Sequence, residues 1–187
     1  MADKKHRKKH NRAEKSRGAS FCAFLGTLLL VILVLVCIPL TVPRLFGYHI
    51  YTVVSRSMEP AIPTGSLVYI KEMNPEDVKE NDVIAFYGAK DSASIITHRV
   101  VENRVLMGEF ITKGDANQTE DMNPASYDNF IGRVERSFPG LGTTAQILTG
   151  KEGKFLAAGV IAAALVLQIL ASVLEKRFER KQSRRQG

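Results

Sequence analysis

Apolar side chains follow two different patterns along this chain. Residues 21–40 and 155–174 are apolar runs of 20 residues each without a charged side chain, whereas apolar and polar residues alternate between them. A helix of about 20 apolar residues spans a hydrocarbon core of about 30 Å. A chain of 187 residues has no core wide enough to surround two such helices. We therefore predict transmembrane helices at residues 19–40 and 155–174.

The first apolar run could instead be the core of a signal peptide that is later removed. Such cores usually contain about 7–15 apolar residues and are followed by a small-x-small cleavage site. The run at residues 21–40 is longer, and residues 38–47 (IPLTVPRLFG) contain no convincing site of that kind. We therefore expect this segment to be retained as a membrane helix.

The central part of the chain has the pattern of short β-strands. Stretches of alternating or β-branched apolar residues, bounded by turn residues, predict strands; they lie at residues 48–54, 66–71, 82–87, 94–102, 109–113 and 130–138. Only a single helical turn is expected, at residues 75–80. The predicted fold class is mostly β: a compact β domain at residues 41–140 between the two transmembrane helices, with a Gly- and Thr-rich linker at residues 141–154.

The basic charge of the chain lies in its two ends. Residues 1–18 contain eight Lys or Arg and two acidic residues, residues 175–187 contain six and two, and residues 41–154 contain twelve and fifteen. By the positive-inside rule we expect two basic cytoplasmic tails, at residues 1–18 and 175–187, and a multi-pass cell-membrane protein whose β domain is extracytoplasmic. A polybasic segment beside a membrane helix meets anionic headgroups, so we expect membrane lipid as a partner and no nucleic acid.

The composition of the β domain argues against several classes of site. It contains two histidines, His49 and His98, and no cysteine, so the residues offer no cluster with metal-ligand spacing. No glycine-rich phosphate-binding loop occurs in the chain either. We therefore expect neither a metal nor a cofactor.

Three polar clusters in the β domain supply a serine, a histidine and carboxylates. They lie at residues 55–60 (SRSMEP), 97–99 (THR) and 113–121 (KGDANQTED). A serine hydroxyl becomes a good nucleophile when an imidazole takes its proton, and a carboxylate fixes the tautomer of that imidazole. The clusters therefore permit a hydrolytic triad built on Ser57 and His98.

Each cluster also has a simpler interpretation. Ser57 could lie in an ordinary turn before the prolines that follow it. His98 shares one face of its predicted strand with Ile96 and Val100, so it could be a half-buried residue that is satisfied by structural hydrogen bonds. Gly114 could supply positive φ to a tight turn.

Taken together, the three clusters resemble the sequence boxes of type I signal peptidases. Residues 55–60 (SRSMEP), followed by residues 63–65 (PTG), resemble the nucleophile box, and residues 97–100 (THRV) and 113–115 (KGD) resemble the later boxes in order and spacing. The resemblance covers about residues 20–140. Where the usual bacterial enzymes have lysine as the general base, this chain has His98, which is similar to the endoplasmic-reticulum type (Ser-His-Asp) that also occurs in archaea and some Gram-positive bacteria.

This resemblance implies a membrane-bound serine endopeptidase, signal peptidase I, that removes signal peptides from exported preproteins after small residues. Ser57 would be the nucleophile and His98 the general base. The oxyanion would be held by the backbone N–H of Ser57 and the hydroxyl of Ser55. The exported preproteins would then be the substrate partners.

The resemblance leaves two carboxylates as candidates for the third triad member. Asp121 matches the triad carboxylate of the endoplasmic-reticulum type, and Asp115 lies in the Lys-Gly-Asp box that is also held to be important there. We favour Asp121, with Asp115 supporting the site or contacting Lys113.

The alternative function is a catalytically silent, membrane-anchored envelope or assembly subunit of the same fold. A silent relative has no need to keep Ser57, His98, Asp115 and Asp121 together, so we favour the enzyme. No feature of the sequence identifies a partner subunit.

Overall fold

The computed structural model describes residues 16–88 and 94–186. One unit contains the described residues of the ranges 1–34 and 157–187, and a second unit contains residues Leu35–Leu156. Residues 1–15, most of the predicted N-terminal basic tail, lie outside the described residues. In chain order the elements are α1 (Arg17–Thr41), β1 (Tyr48–Thr52), β2 (Leu67–Lys71), β3 (Val83–Tyr87), β4 (Ile95–Arg104), β5 (Glu109–Lys113), β6 (Ala125–Ser126), β7 (Phe130–Phe138), α2 (Leu141–Thr149) and α3 (Lys151–Gln186).

The two predicted apolar helices are present as α1 and α3. Both are long and apolar enough to cross a membrane, and little of their apolar surface is buried within the chain. In the helical unit they contact each other: Gln168 Nε2 donates to Thr27 Oγ1 at 3.1 Å, and a Cβ added to Gly26 would lie 3.1 Å from the carbonyl oxygen of Ala164. Their remaining apolar surface is free to face lipid, as the sequence pattern predicts.

α3 extends beyond the predicted membrane helix at residues 155–174 in both directions. Its C-terminal part continues through residues 175–186, which the sequence predicts as a tail. This part contains no Gly or Pro and is rich in Glu, Lys, Arg and Gln, which are good helix formers. The charged segment therefore prolongs the helix instead of ending it.

The seven strands form one antiparallel sheet in the order β1-β2-β7-β3-β4-β5-β6. Every stretch that the sequence pattern assigns to a strand contains one, so the predicted β domain between two helices is confirmed. β6 was not predicted, because its two residues are too few to produce an alternating pattern. The turn expected at residues 75–80 is a short 3₁₀ helix at Pro75–Asp77.

The described part of the sheet unit has two clusters of buried apolar side chains. One cluster contains Val53, Met58, Ile62, Val68, Ile70 and Ala85. The other contains Val78, Ile84, Phe86, Val100, Phe110 and Ala125. Met58 is completely buried in the first cluster. Its burial fixes the turn that follows β1.

Residues 141–154, predicted as a linker, are helical for most of their length. They form α2 and the first turn of α3, and α2 packs on the sheet. Thr52 Oγ1 donates to the Gly142 carbonyl at 2.9 Å, and the Gly142 N–H donates to the Gly65 carbonyl at 2.9 Å. A Cβ on Gly142 would lie 2.6 Å from the Ser66 carbonyl oxygen. These tertiary contacts override the low helix propensity of a Gly- and Thr-rich segment.

Candidate active site

Ser57 lies in a closed turn between β1 and β2. The Gly65 N–H donates to the Val53 carbonyl at 2.8 Å at the base of the turn, and the Ile62 N–H donates to the Met58 carbonyl at 2.8 Å inside it. Because Met58 is buried in the core, the residue beside it is fixed at the surface. Ser57 is thus held more firmly than a serine in an ordinary exposed turn.

A second loop fixes the backbone of Ser57. The Ala116 N–H donates to the Ser57 carbonyl at 2.9 Å. A Cβ added to Gly114 would lie 2.6 Å from the same carbonyl oxygen, so only glycine permits this approach. A tight turn does begin at Gly114, because the Asn117 N–H donates to the Gly114 carbonyl at 2.9 Å. The φ of Gly114 is not positive, however, so close packing and not a left-handed conformation explains the glycine.

His98 is buried on β4 and contacts a carboxylate. Its side of the strand carries Ile96 and Val100, and the residue is 8% exposed. Its ring meets the Phe86 ring edge-on, with centroids 6.4 Å apart. Nδ1 lies 2.6 Å from Asp121 Oδ2. A hydrogen bond of this kind selects the tautomer with the proton on Nδ1, which leaves Nε2 as a base.

Asp121 is held in place by β5. Its N–H donates to the Thr112 carbonyl at 2.8 Å, and Thr112 Oγ1 donates to Oδ2 at 2.6 Å. Thr112 is 1% exposed and was not singled out from the sequence. The only available signal was a hydroxyl residue directly after the buried Phe110 and Ile111 in a short strand.

Asp115 contacts an arginine instead of His98. Arg99 Nε donates to Oδ1 at 2.8 Å, and Arg99 NH2 donates to Oδ2 at 2.7 Å. Arg99 NH1 also donates to the Asn81 carbonyl at 2.7 Å. The hydrogen bond with Asp115 raises the pKa of Arg99 above its usual value. Of the two candidate carboxylates, Asp121 is therefore the one beside His98, and Asp115 closes an ion pair.

Ser55 and Ser57 lie beside each other at a groove. Their Oγ atoms are 3.1 Å apart, and Thr64 Oγ1 donates to the Ser55 carbonyl at 2.9 Å. The groove has a volume of about 510 Å³. It is lined by the end of β1, the residues that follow it, one residue of β2, and the beginning of β4 with the residue before it: Tyr51, Thr52, Val53, Val54, Ser55, Ser57, Val68, Ser94, Ile95, Ile96, Thr97 and His98.

The groove wall is mostly apolar and contains the serine and histidine that the sequence singles out. His49, the other histidine of the β domain, lies elsewhere, with Nε2 2.5 Å from Glu72 Oε1. Within residues 16–88 and 94–186, no three His, Cys, Asp or Glu side chains are grouped as metal ligands. The arrangement offers a hydroxyl, a base and a carboxylate, the groups needed for nucleophilic acyl transfer.

Comparison with known proteins finds a relative with a named function. No family model matches the chain. Over 93 residues the chain is 43% identical to signal peptidase I W of Bacillus subtilis (strain 168), a match that covers 46% of this chain and 46% of the relative. The chain thus spans about half the length of the curated relative that it matches. This similarity supports the relationship to type I signal peptidases that residues 55–60, 97–100 and 113–115 predict.

Proposed function

We propose that this chain is a membrane-bound serine endopeptidase, a signal peptidase that cleaves N-terminal signal peptides from exported preproteins. The observation that carries the proposal is the 2.6 Å contact of His98 Nδ1 with Asp121 Oδ2 at the wall of the groove that Ser57 also lines. The similarity to signal peptidase I W supports the same reaction.

Ser57 is the nucleophile of the proposed reaction. Its Oγ attacks the scissile carbonyl carbon while its proton passes to Nε2 of His98. The tetrahedral intermediate collapses when the C–N bond breaks and His98 returns the proton to the leaving amine. Water then attacks the acyl-enzyme ester, again with His98 as the base, and releases the new carboxyl terminus and the Ser57 hydroxyl. Asp121 stays ionised throughout and stabilises the imidazolium.

Two donors on the nucleophile turn stabilise the oxyanion. They are the backbone N–H of Ser57 and the hydroxyl of Ser55, whose oxygen lies 3.1 Å from Ser57 Oγ. Negative charge that develops on the substrate carbonyl is stabilised most by donors that are already in place. The closed turn around Met58 supplies that rigidity.

The substrate binds as an extended segment in the groove. Residues 95–98 of β4 pair with β3 along one edge, while the register with β5 begins only at Arg99. No strand in the described part of the chain pairs with the other edge of residues 95–98, so we expect a peptide strand to bind there. In an extended peptide alternate side chains point the same way. The first and third residues before the cut therefore face the apolar wall, and we expect both to be small.

Asp115 supports the site in this proposal. Its ion pair with Arg99 anchors the loop whose Ala116 N–H holds the Ser57 carbonyl. A bidentate arginine–carboxylate pair fixes geometry as well as charge. Asp115 thus preserves the position of the nucleophile without touching the reacting atoms.

The two apolar helices and the charge of their flanks support the membrane arrangement of this proposal. α1 and α3 span the cell membrane, both termini are cytoplasmic, and the β domain is extracytoplasmic. Enzyme and signal peptide then share one membrane, which raises their effective concentration without further contacts. A shallow groove with weak selectivity therefore suffices for cleavage.

The test is processing of a preprotein that carries an Ala-x-Ala site by the full chain in liposomes. Wild type should release the mature protein, with its new N-terminus after the second alanine by mass spectrometry. Ser57→Ala should cut the rate by roughly 10⁴- to 10⁶-fold, because only binding and the oxyanion donors remain. Survival of the rate within tenfold would remove Ser57 as the nucleophile.

The silent-subunit function makes the opposite prediction in the same assay. A folded wild type that cleaves no preprotein, including one from its own cell, would favour that alternative. Circular dichroism of both proteins is the control, because equal folded fractions are needed before the rates are compared.

A further inference from the structure

We propose that Thr112 is a positioning residue that orients Asp121 and limits the proton affinity of His98. The inference rests on the proposed function only for its kinetic consequences. Its consequence for the titration of His98 concerns the three side chains themselves and holds whatever the substrate is.

Thr112 makes two hydrogen bonds with Asp121. Its carbonyl accepts the Asp121 N–H at 2.8 Å, and its Oγ1 donates to Asp121 Oδ2 at 2.6 Å. His98 Nδ1 lies 2.6 Å from the same oxygen. One carboxylate oxygen therefore accepts from a hydroxyl and an imidazole at once, and the hydroxyl fixes where the imidazole meets it.

Because Thr112 is buried, water does not easily replace its hydroxyl as a donor to Asp121. Thr112 is 1% exposed, so water has little access to the position of Oγ1 if the hydroxyl is removed. A carboxylate that loses a buried donor holds its negative charge less well. It then attracts a proton on the neighbouring imidazole more strongly. More His98 is protonated at a given pH, and less of it can act as a base.

Among residues 16–88 and 94–186, the other charged groups lie away from the contact of His98 with Asp121. The groove that contains His98 is lined by apolar and hydroxyl-bearing side chains, with Tyr51 as the other titratable group in its described wall. β3, which pairs with β4, places Ile84 and Phe86 at the histidine. The charged groups nearby line a separate cavity on the other side of β4: Glu80, Arg99, Lys113 and Asp115. Glu120, next to Asp121 in the chain, is exposed.

Thr112→Val removes the hydroxyl but keeps the packing of the side chain, so the two contributions can be distinguished. Valine has nearly the same shape, and both residues are good strand formers, so β5 should keep its structure. Thr112→Ser keeps the hydroxyl and loses a methyl group. Thr149→Val is the matched control, because Thr149 Oγ1 donates at 2.9 Å to the Ala145 carbonyl in α2, away from the groove.

The first measurement is the titration of His98 in the full chain in detergent micelles, followed by NMR on ¹³C-labelled histidine. The His98 signal is identified by its loss in His98→Gln. In Thr112→Val the midpoint of the His98 titration should lie at a higher pH than in the wild type. In Thr112→Ser and Thr149→Val it should match the wild-type value.

The second measurement is the pH profile of preprotein cleavage. In Thr112→Val the acidic limb of kcat/KM should move up by the same amount as the NMR titration, so that kcat/KM is about tenfold lower on that limb and close to the wild-type value on the plateau. Thr112→Ser should restore the wild-type profile. If the substitution only disturbed the structure, it would lower the melting temperature and kcat but leave the acidic limb of the pH profile at the same pH.

The outcomes separate this inference from the proposed function. An unchanged His98 titration in Thr112→Val, or an equal rise in Thr112→Ser, would overturn the role of the hydroxyl even in an active peptidase. A rise confined to Thr112→Val in a chain that cleaves no preprotein would support the hydroxyl and refute the peptidase. If Thr112→Val does not fold, Thr112→Ala must show the same rise, since it removes the hydroxyl without adding bulk.

Discussion

Each side of β4 carries one basic side chain that is paired with a carboxylate, and the two pairs differ in the chemistry they allow. On one side His98 meets Asp121 at the wall of a groove of about 510 Å³. On the other side Arg99 makes a bidentate pair with Asp115 in a cavity of about 330 Å³. Neighbouring residues of one strand thus direct a titratable base and a permanent cation to opposite faces.

The two pairs differ in the proton affinity of their basic side chains. The pKa of Arg99 is raised above its ordinary value by the hydrogen bond to Asp115, so this pair stays charged over the whole range in which a hydrolase works. An imidazole changes its charge near neutral pH. The arginine pair can therefore only hold structure, whereas the histidine pair can move a proton. The proposed triad uses the pair that titrates.

The largest expected effect comes from replacing His98, on the groove side of β4, with a positively charged residue. In His98→Lys the Asp121 carboxylate would favour the ammonium form and raise the pKa of the new lysine. A lysine base must be neutral near pH 7, so we expect the cleavage rate to fall by about 10⁴-fold or more. Preprotein cleavage at pH 7 to 10 is the measurement. Near-normal turnover would contradict the assignment of a histidine-based site.

The next effect distinguishes the two carboxylates. Asp121→Asn should lower kcat by roughly 10³- to 10⁴-fold with little change in melting temperature, because the amide no longer stabilises the imidazolium or fixes the tautomer. The measurement pairs steady-state cleavage kinetics with thermal unfolding by circular dichroism. If Asp121→Asn cleaves at the wild-type rate, Asp121 is not the triad carboxylate.

In contrast to Asp121→Asn, Asp115→Asn should lower stability more than it lowers kcat. Losing one partner of the half-buried Arg99 pair should cost about 1–2 kcal/mol, after allowance for its partial exposure. The melting temperature should fall by about 2–8 °C, with a loss in kcat of tenfold or less through the loop that holds Ser57. Glu102→Gln is the control, since its ion pair with Arg104 is more exposed and its loss should leave the melting temperature close to the wild-type value. Abolished turnover at an unchanged melting temperature would refute the supporting role.

The strands were predictable because their signal is local. Alternation over five to ten residues locates β1 to β5 and β7, and it correctly places His98 on a face with Ile96 and Val100. The two-residue β6 and the nine-residue α2 carry too little pattern of their own. Both depend on tertiary contacts, such as that of Gly142 with the Gly65 carbonyl.

The members of the candidate site were predictable, but the partners that hold them were not. A resemblance in motifs pointed to Ser57, His98 and two carboxylates. Which carboxylate meets His98 depends on the loop after β5, and no periodicity extends over that loop. Thr112 was missed for the same reason: a buried hydroxyl in a strand acquires a role only from what the fold brings against it.

The smallest expected effect concerns the oxyanion side of the groove. The hydroxyl of Thr64 donates a hydrogen bond to the Ser55 carbonyl at 2.9 Å. An exposed bond of this kind contributes about 0.5–1.5 kcal/mol. Thr64→Val should therefore lower kcat about two- to tenfold through a less fixed Ser55, with KM unchanged. Thr64→Ser should keep the wild-type kcat, so an equal loss in both variants would assign the effect to packing and would remove Thr64 from the oxyanion side.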